Sequence, residues 1–230
     1  MVKEGYYFGL PLLVLGGVAY FAQWPVVAVV LMCLALFTFS FFRDPERVIP
    51  NEPGAVVSPA DGRVVVVTDE ENAGKPGKRI SIFLAIWNVH VNRSPAEGII
   101  TGLQYKPGRF LAAMREQASL ENEQNVFTLS TDAGELVFKQ IAGLIARRVV
   151  SWKKTGDRVT RGERIGLVRF GSRADVWVPW DAEISVKLGD YVKGGSSVLA
   201  MWPQKKSVGP AKETQNSAAI VDASVAGKQT

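Results

Sequence analysis

The chain of 230 residues holds one cysteine, Cys33, and one histidine, His90. The first scarcity excludes a disulfide framework and a cysteine-rich zinc site. The second excludes paired-histidine metal motifs such as H-E-x-x-H. There is no G-x-S-x-G, no Walker loop and no dinucleotide fingerprint. Charge is missing from one block: no residue from Tyr6 to Phe42 is charged, a run of 37 positions. The chain as a whole is 47% hydrophobic and 21% charged, with a net charge of +5. That is too apolar for a disordered chain. The mean hydropathy of +0.08 averages two unlike parts.

The uncharged block is too long for one membrane helix. At ~1.5 Å per residue it would reach roughly 55 Å, against a hydrocarbon core of ~30 Å. Gln23, Trp24 and Pro25 interrupt it. Two short transmembrane helices in a hairpin, about 6–22 and 26–42, are expected. Lys3 precedes the first, Arg43 and Arg47 follow the second, and the turn carries no basic residue. That pattern puts both termini on the cytoplasmic side of the cell membrane. A cleaved signal peptide and the buried hairpin of a soluble fold are the alternatives. The first lacks a small-residue cleavage site.

Residues 1–42 therefore read as an anchor, 43–203 as a globular domain and 204–230 as a disordered polar tail. Within the domain, 55–68 (AVVSPADGRVVVVT) predicts a β-hairpin turning at Pro59, Asp61 and Gly62. Strands are predicted over 79–91, 125–131 and 135–140, and a short helix over 142–150. A repeat with the frame K-x-G-D-x-V-x-x-G occurs from Lys154 and again from Lys187. It resembles the hammerhead segments of biotinyl/lipoyl-type β-sandwiches, although the usual carrier lysine is not evident. The fold class is mostly β (α+β), with a β-sandwich or hammerhead-like domain. Between Arg147 and Arg173 stand nine basic residues, opposed by Asp157 and Glu163. With an anchor present, an anionic lipid surface is a better partner for them than nucleic acid.

His90 is the side chain that titrates near neutral pH without help. A hydrogen-bonded structural histidine is the plain alternative. Asp61 in its Asp-Gly turn is equally explained by turn chemistry. From spacing alone, Asp61, His90 and Ser172 do not form a recognisable set.

Six blocks in order change that: FFRDPER (Phe41–Arg47), SPADG (Ser58–Gly62), NVHVNRSP (Asn88–Pro95), LENEQN (Leu120–Asn125), QIAGLIARR (Gln140–Arg148) and FGSRADV (Phe170–Val176). Together they resemble the phosphatidylserine decarboxylase family in its short bacterial and archaeal form. The resemblance runs from the anchor to about Trp202. It implies a proenzyme that cuts itself between Gly171 and Ser172 into a large chain (1–171) and a small chain (172–230), which stay together as a heterodimer. It further implies that Ser172 becomes a pyruvoyl group, the cofactor, with no metal or diffusible cofactor. That group would take phosphatidylserine as a Schiff base and yield phosphatidylethanolamine and carbon dioxide. On this resemblance His90 is the base that activates Ser172, with Asp61 orienting its ring.

Two departures stand out. Longer family members carry a second histidine three residues after the first, where this chain has Arg93. Gln124 replaces an arginine often seen in the LENERN block, which weakens the case for substrate contact there. Arg148, Lys153 and Arg173 are candidates for the lipid phosphate. Two rival readings remain: the same chemistry on another amino-headgroup lipid such as archaetidylserine, and a non-catalytic lipoyl-like membrane-binding module.

Overall fold

A computed structural model of the chain describes residues 1–144, 148–169 and 171–202. The expected polar tail, Arg147 and Phe170 lie outside the described residues. The chain opens with two helices, α1 (Lys3–Phe21) and α2 (Pro25–Phe41), joined by a tight turn. Pro25 starts α2 at its first turn, where a missing N–H costs nothing. The helices meet through small residues, Gly5, Gly9, Gly16, Ala19, Ala28 and Ala35. A Cβ at Gly9 would run into the Phe39 ring. Large apolar side chains such as Tyr7, Phe21 and Leu36 point outward and are exposed. The hairpin is therefore present. No helix among the described residues is long and apolar enough to cross a membrane.

The domain is mostly β. Its strands are β1 (Ala55–Val57), β2 (Gly62–Asn72), β3 (Lys75–Leu84), β4 (Val91–Arg93), β5 (Gly98–Lys106), β6 (Gln124–Thr131) and β7 (Gly134–Ile141). There follow β8 (Val149–Ser151), β9 (Arg158–Val159), β10 (Arg164–Val168), β11 (Ser172–Pro179), β12 (Glu183–Ile184), β13 (Tyr191–Val192) and β14 (Val198–Met201). One four-residue helix, α3 (Ala118–Glu121), precedes β6. The main antiparallel sheet has the order β13-β2-β3-β11-β7-β6-β5-β9, with β1-β14-β12 and β4-β10-β8 beside it. The main sheet curls around one apolar core. Val64, Ile80 and Ile82, Ile100, Phe127, Phe138 and Val176 come from its strands, and Leu199 and Trp202 from the chain end. The Phe127 and Phe138 rings stack at 4.5 Å, the cross-strand pair that β6 and β7 place opposite each other.

Several expectations change here. β1 and β2 do not pair with each other: β1 pairs with β14, and β2 with β3 and β13. The SPADG turn redirects the chain to a different sheet instead of closing a hairpin. The predicted strand 79–91 breaks after Leu84, and the segment up to His90 is a connection. The described part of 142–150 contains no helix and ends in β8.

The repeat has matching geometry. Gly156 and Gly189 both have φ of 95°. Lys154 and Lys187 each donate a backbone N–H to the carboxylate of Asp157 or Asp190, at 3.0 Å. A second repeated element accompanies it: Ser58-Pro-Ala-Asp-Gly62 is matched by Ser94-Pro-Ala-Glu-Gly98. The two copies exchange backbone bonds, Val57 N–H to Pro95 O and Arg93 N–H to Pro59 O, at 2.8 and 2.9 Å. Each also receives a glycine N–H from one hammerhead, Gly195 on Ser58 O and Gly162 on Ser94 O, both at 2.8 Å. The domain is thus built from two interlocked copies of one unit.

Candidate active site

The FFRDPER block joins the hairpin to the domain. Phe41 and Phe42 pack with Val2, Val89, Val91 and Leu167. Arg43 donates to the Trp87 carbonyl at 2.7 Å. Asp44 accepts from Arg93 at 2.7 Å and Arg164 at 2.5 Å. Arg47 grips both oxygens of Asp61, at 2.9 and 2.8 Å.

His90 lies in the connection between β3 and β4 and is 1% exposed. Its Nδ1 is 2.9 Å from the Asn88 carbonyl. A carbonyl only accepts, so Nδ1 carries the proton and Nε2 keeps a lone pair. Nε2 is buried without a hydrogen-bond partner. Burial lowers the pKa of the ring to about 4; the bond to Asn88 opposes this shift and the charge of Arg43 adds to it. At neutral pH the imidazole is a neutral, unpaired base.

Ser172 is the first residue of β11 and pairs with Leu84, the last residue of β3. It is wholly buried, and its Oγ has no hydrogen-bond partner. Two unsatisfied buried polar atoms are costly in a core and call for a reason. The residue before it, Gly171, has φ of +61° and no atom within 4 Å of where a Cβ would stand. Glycine is needed there for its backbone angle, since crowding is absent. The backbone of Gly143 passes against the Gly171 carbonyl: a Cβ on Gly143 would lie 1.7 Å from that oxygen. Gly143 escaped the sequence reading, although a lone glycine in QIAGL between two chain reversals was a usable signal.

Asp61 takes a different position from the one expected of it. Its carboxylate holds Arg47 and accepts the Gly194 N–H at 2.8 Å. The ring of His90 is oriented by Asn88 instead, because a two-residue backbone contact already occupies Nδ1. Asp61 thus ties the SPADG turn to the second hammerhead and the hairpin foot.

The remaining blocks hold this constellation in place. Asn122 donates to the Ala142 carbonyl at 2.7 Å, and Ala142 N–H returns to Glu123 O at 2.9 Å, which fixes the backbone leading into Gly143. Gln124 donates to the Ser119 and Asn122 carbonyls and is buried, so this block is structural. A chain of buried amides, Asn125 to Gln140 to Asn92, links three blocks at 3.0 and 2.9 Å. Of the phosphate candidates, Arg173 is fully buried on Asp175 at 2.6 Å and Ser81 at 2.7 Å. Lys153 is paired with Glu163. Arg148 is exposed. The basic run does not form one face: Arg158, Arg164 and Arg173 also turn to carboxylates.

Residues 34–200 match the family model described as phosphatidylserine decarboxylase. Proteins named phosphatidylserine decarboxylase proenzyme are similar over most of the chain. The one from Symbiobacterium thermophilum is 48% identical over 208 residues, covering 89% of this chain and 96% of the relative. That from Solibacter usitatus is 48% identical over 207 residues, covering 90% and 99%. That from Magnetococcus marinus is 43% identical over 212 residues, covering 90% and 97%.

Proposed function

The chain belongs to the phosphatidylserine decarboxylase family, and from that premise we propose that it cuts itself between Gly171 and Ser172 and then decarboxylates phosphatidylserine to phosphatidylethanolamine. The observation that carries the site assignment is the pair of buried, unpartnered atoms, Ser172 Oγ and His90 Nε2, beside a glycine held at φ of +61°. His90 Nε2 accepts the Ser172 hydroxyl proton as Oγ attacks the carbonyl carbon of Gly171. The C–N bond breaks as the C–O bond forms, the Ser172 nitrogen takes that proton from His90 and leaves as an amine, and the amide becomes an ester. Loss of the Ser172 Cα proton then expels the Gly171 carboxylate. Water replaces ammonia on the dehydroalanine that remains, which leaves a pyruvoyl group at residue 172. The residues fit that group: position 172 is buried, heads a central strand, and faces no competing hydrogen bond. Its carbonyl would supply an electron sink for the pair left on an amine substrate's α-carbon as carbon dioxide departs. The chain's own part is to exclude water, hold position 172 between β3 and β7, and keep a buried neutral base in His90.

The two products of the cut stay associated on this reading. β11 lies between β3 and β7, β13 pairs with β2, and β14 pairs with β1, so the small chain is woven into the large one. The hairpin holds the domain on the cytoplasmic face of the membrane, embedded in the bilayer. Its exposed Tyr7, Phe21 and Leu36 and its small-residue helix contact support that placement.

Denaturing electrophoresis with mass spectrometry tests the reading. Purified active protein should yield chains of 171 and 59 residues, the smaller blocked at its N-terminus. Ser172→Ala should remain a single 25.1 kDa chain without activity. An active, uncut wild-type chain would refute the assignment.

A further inference from the structure

The hairpin reaches further into the site than a tether needs to. Phe41, the last residue of α2, is 2% exposed. Its ring lies over the His90 imidazole with centroids 4.1 Å apart and planes at 32°. Phe42 meets Phe41 edge-on at 5.0 Å and stacks with Phe8 of α1 at 5.9 Å. The aromatic contacts therefore run without a break from α1 through α2 to the histidine. On its other side the His90 carbonyl accepts the Val168 N–H at 3.2 Å, at the end of β10.

We infer that Phe41 is a positioning residue for His90: the end of the hairpin forms one wall of the imidazole's seat and keeps the ring aligned and dry. The inference rests on His90 being the base proposed above. Its physical basis is direct. Asn88 fixes only Nδ1, and a ring held by one hydrogen bond can still swing about it. A flat aromatic face against the ring removes that freedom and excludes water from Nε2. Among the charged groups on the surrounding elements, Arg93 of β4 and Arg164 of β10 are ion-paired with Asp44. Arg43 follows α2 and acts on the ring, whereas Arg169 follows β10 and lies over the Phe8 ring at 5.2 Å. Phe41 thus couples the seating of the hairpin to the readiness of the base.

The test is the pH profile of self-cleavage in the full chain. The chain is made by cell-free synthesis with phosphatidylcholine–phosphatidylglycerol vesicles, pulse-labelled and shifted to pH 5.5–8. The wild-type rate should change little over this range, since the ring titrates at about 4. In Phe41→Ala the ring is wetted and its pKa returns towards ~6.5, which lowers the rate at pH 5.5 about 10-fold relative to pH 8. Phe41→Leu should move the same way by less, and Phe41→Tyr should restore the flat profile. Should Phe41→Ala fail to fold, Phe41→Leu decides. A flat profile in a folded Phe41→Leu, with any loss of rate equal at all pH values, overturns the inference. His90→Ala separates the two claims: normal cleavage there removes the proposed base itself, whereas an uncut His90→Ala beside a flat Phe41→Leu removes only the role of Phe41.

Discussion

Gly143 offers a sharp test of how the cleavage site is held. Its backbone is not in the left-handed region, so alanine there carries no conformational penalty of the kind Gly171 would. The cost is steric. A Cβ would lie 1.7 Å from the Gly171 oxygen, 2.9 Å from its carbonyl carbon and 3.3 Å from Ala113 Cβ, where real Cβ contacts stay beyond 3.0 Å. Gly171 and residue 143 must therefore part by more than 1 Å. The Ala142 side of the contact is pinned by Asn122 and Glu123, so much of the shift falls on the scissile carbonyl. Misplacing a reacting atom by ~1 Å costs on the order of 10²-fold in rate. Gly143→Ala should slow appearance of the 59-residue chain by about that factor in a pulse-chase assay. Gly171→Ala meets no atom within 4 Å and bears only the left-handed backbone cost of ~1–2 kcal/mol, so its slowing should be smaller. The same Gly143→Ala change placed in the uncut Ser172→Ala background should lower stability by about 1–3 kcal/mol, the usual cost of overpacking a close contact. Cleavage of Gly143→Ala at the wild-type rate would refute the reasoning.

Two further outcomes follow from buried charge. Asp175→Asn strips the anion from Arg173 and Arg79, both buried, and should destabilise the uncut Ser172→Ala chain by about 3–5 kcal/mol in denaturant titration. Asp61→Asn should cost about 2 kcal/mol through the lost Arg47 pair while cleavage keeps its pH profile; abolished cleavage at unchanged stability would return Asp61 to the chemistry. Stability should also depend on pH through His90. Its folded pKa of about 4 lies below the unfolded value near 6.5, so the unfolded chain binds the proton first as pH falls. Stability is then full above ~6.5 and is lost progressively towards ~4, by about 3 kcal/mol. Chemical denaturation of Ser172→Ala should show that slope, and adding His90→Gln should remove it.

Much of the chemistry was legible in the sequence because it sits in short contiguous blocks. Gly171 and Ser172 are adjacent, and a lone His90 is conspicuous. The strands β6 and β7 were visible because each keeps its hydrophobic alternation through one sheet. What escaped was set by long-range pairing. Nothing local tells that β1 leaves β2 for β14, 143 positions from Ala55 to Val198, or that SPAEG mirrors SPADG across the domain. The partners of Asp61 were hidden for the same reason. Its turn chemistry is local, but its partners Arg47 and Gly194 come from the hairpin foot and the far hammerhead. The basic run from Arg147 to Arg173 looked like a surface because a charge count carries no direction. Glu163 inside the run holds Lys153, but Asp44, Glu97 and Asp175, which pair Arg164, Arg158 and Arg173, lie outside it.

The place where longer family members have a second histidine bears on how one base can suffice. Arg93 fills it, and every end of its guanidinium is committed. One nitrogen donates to the Gly162 carbonyl at 3.0 Å, and another to Asp44 at 2.7 Å and Pro45 O at 3.2 Å. A guanidinium so held gives up no proton and fastens the hairpin foot to the first hammerhead. On the proposed reading proton transfer then falls to His90, with its two duties separated in time. Self-cleavage happens once and consumes the Ser172 hydroxyl. On that reading the Ser172 hydroxyl is gone afterwards, and the base that took the first proton is available for every later turnover. A single buried histidine can serve both stages because the first destroys its own substrate. The expected signature is that His90→Ala blocks cutting, while His90 replaced only after cutting, by assembling separately made chains, blocks decarboxylation. Full decarboxylation in such a reassembled His90→Ala pair would assign the second duty to another group.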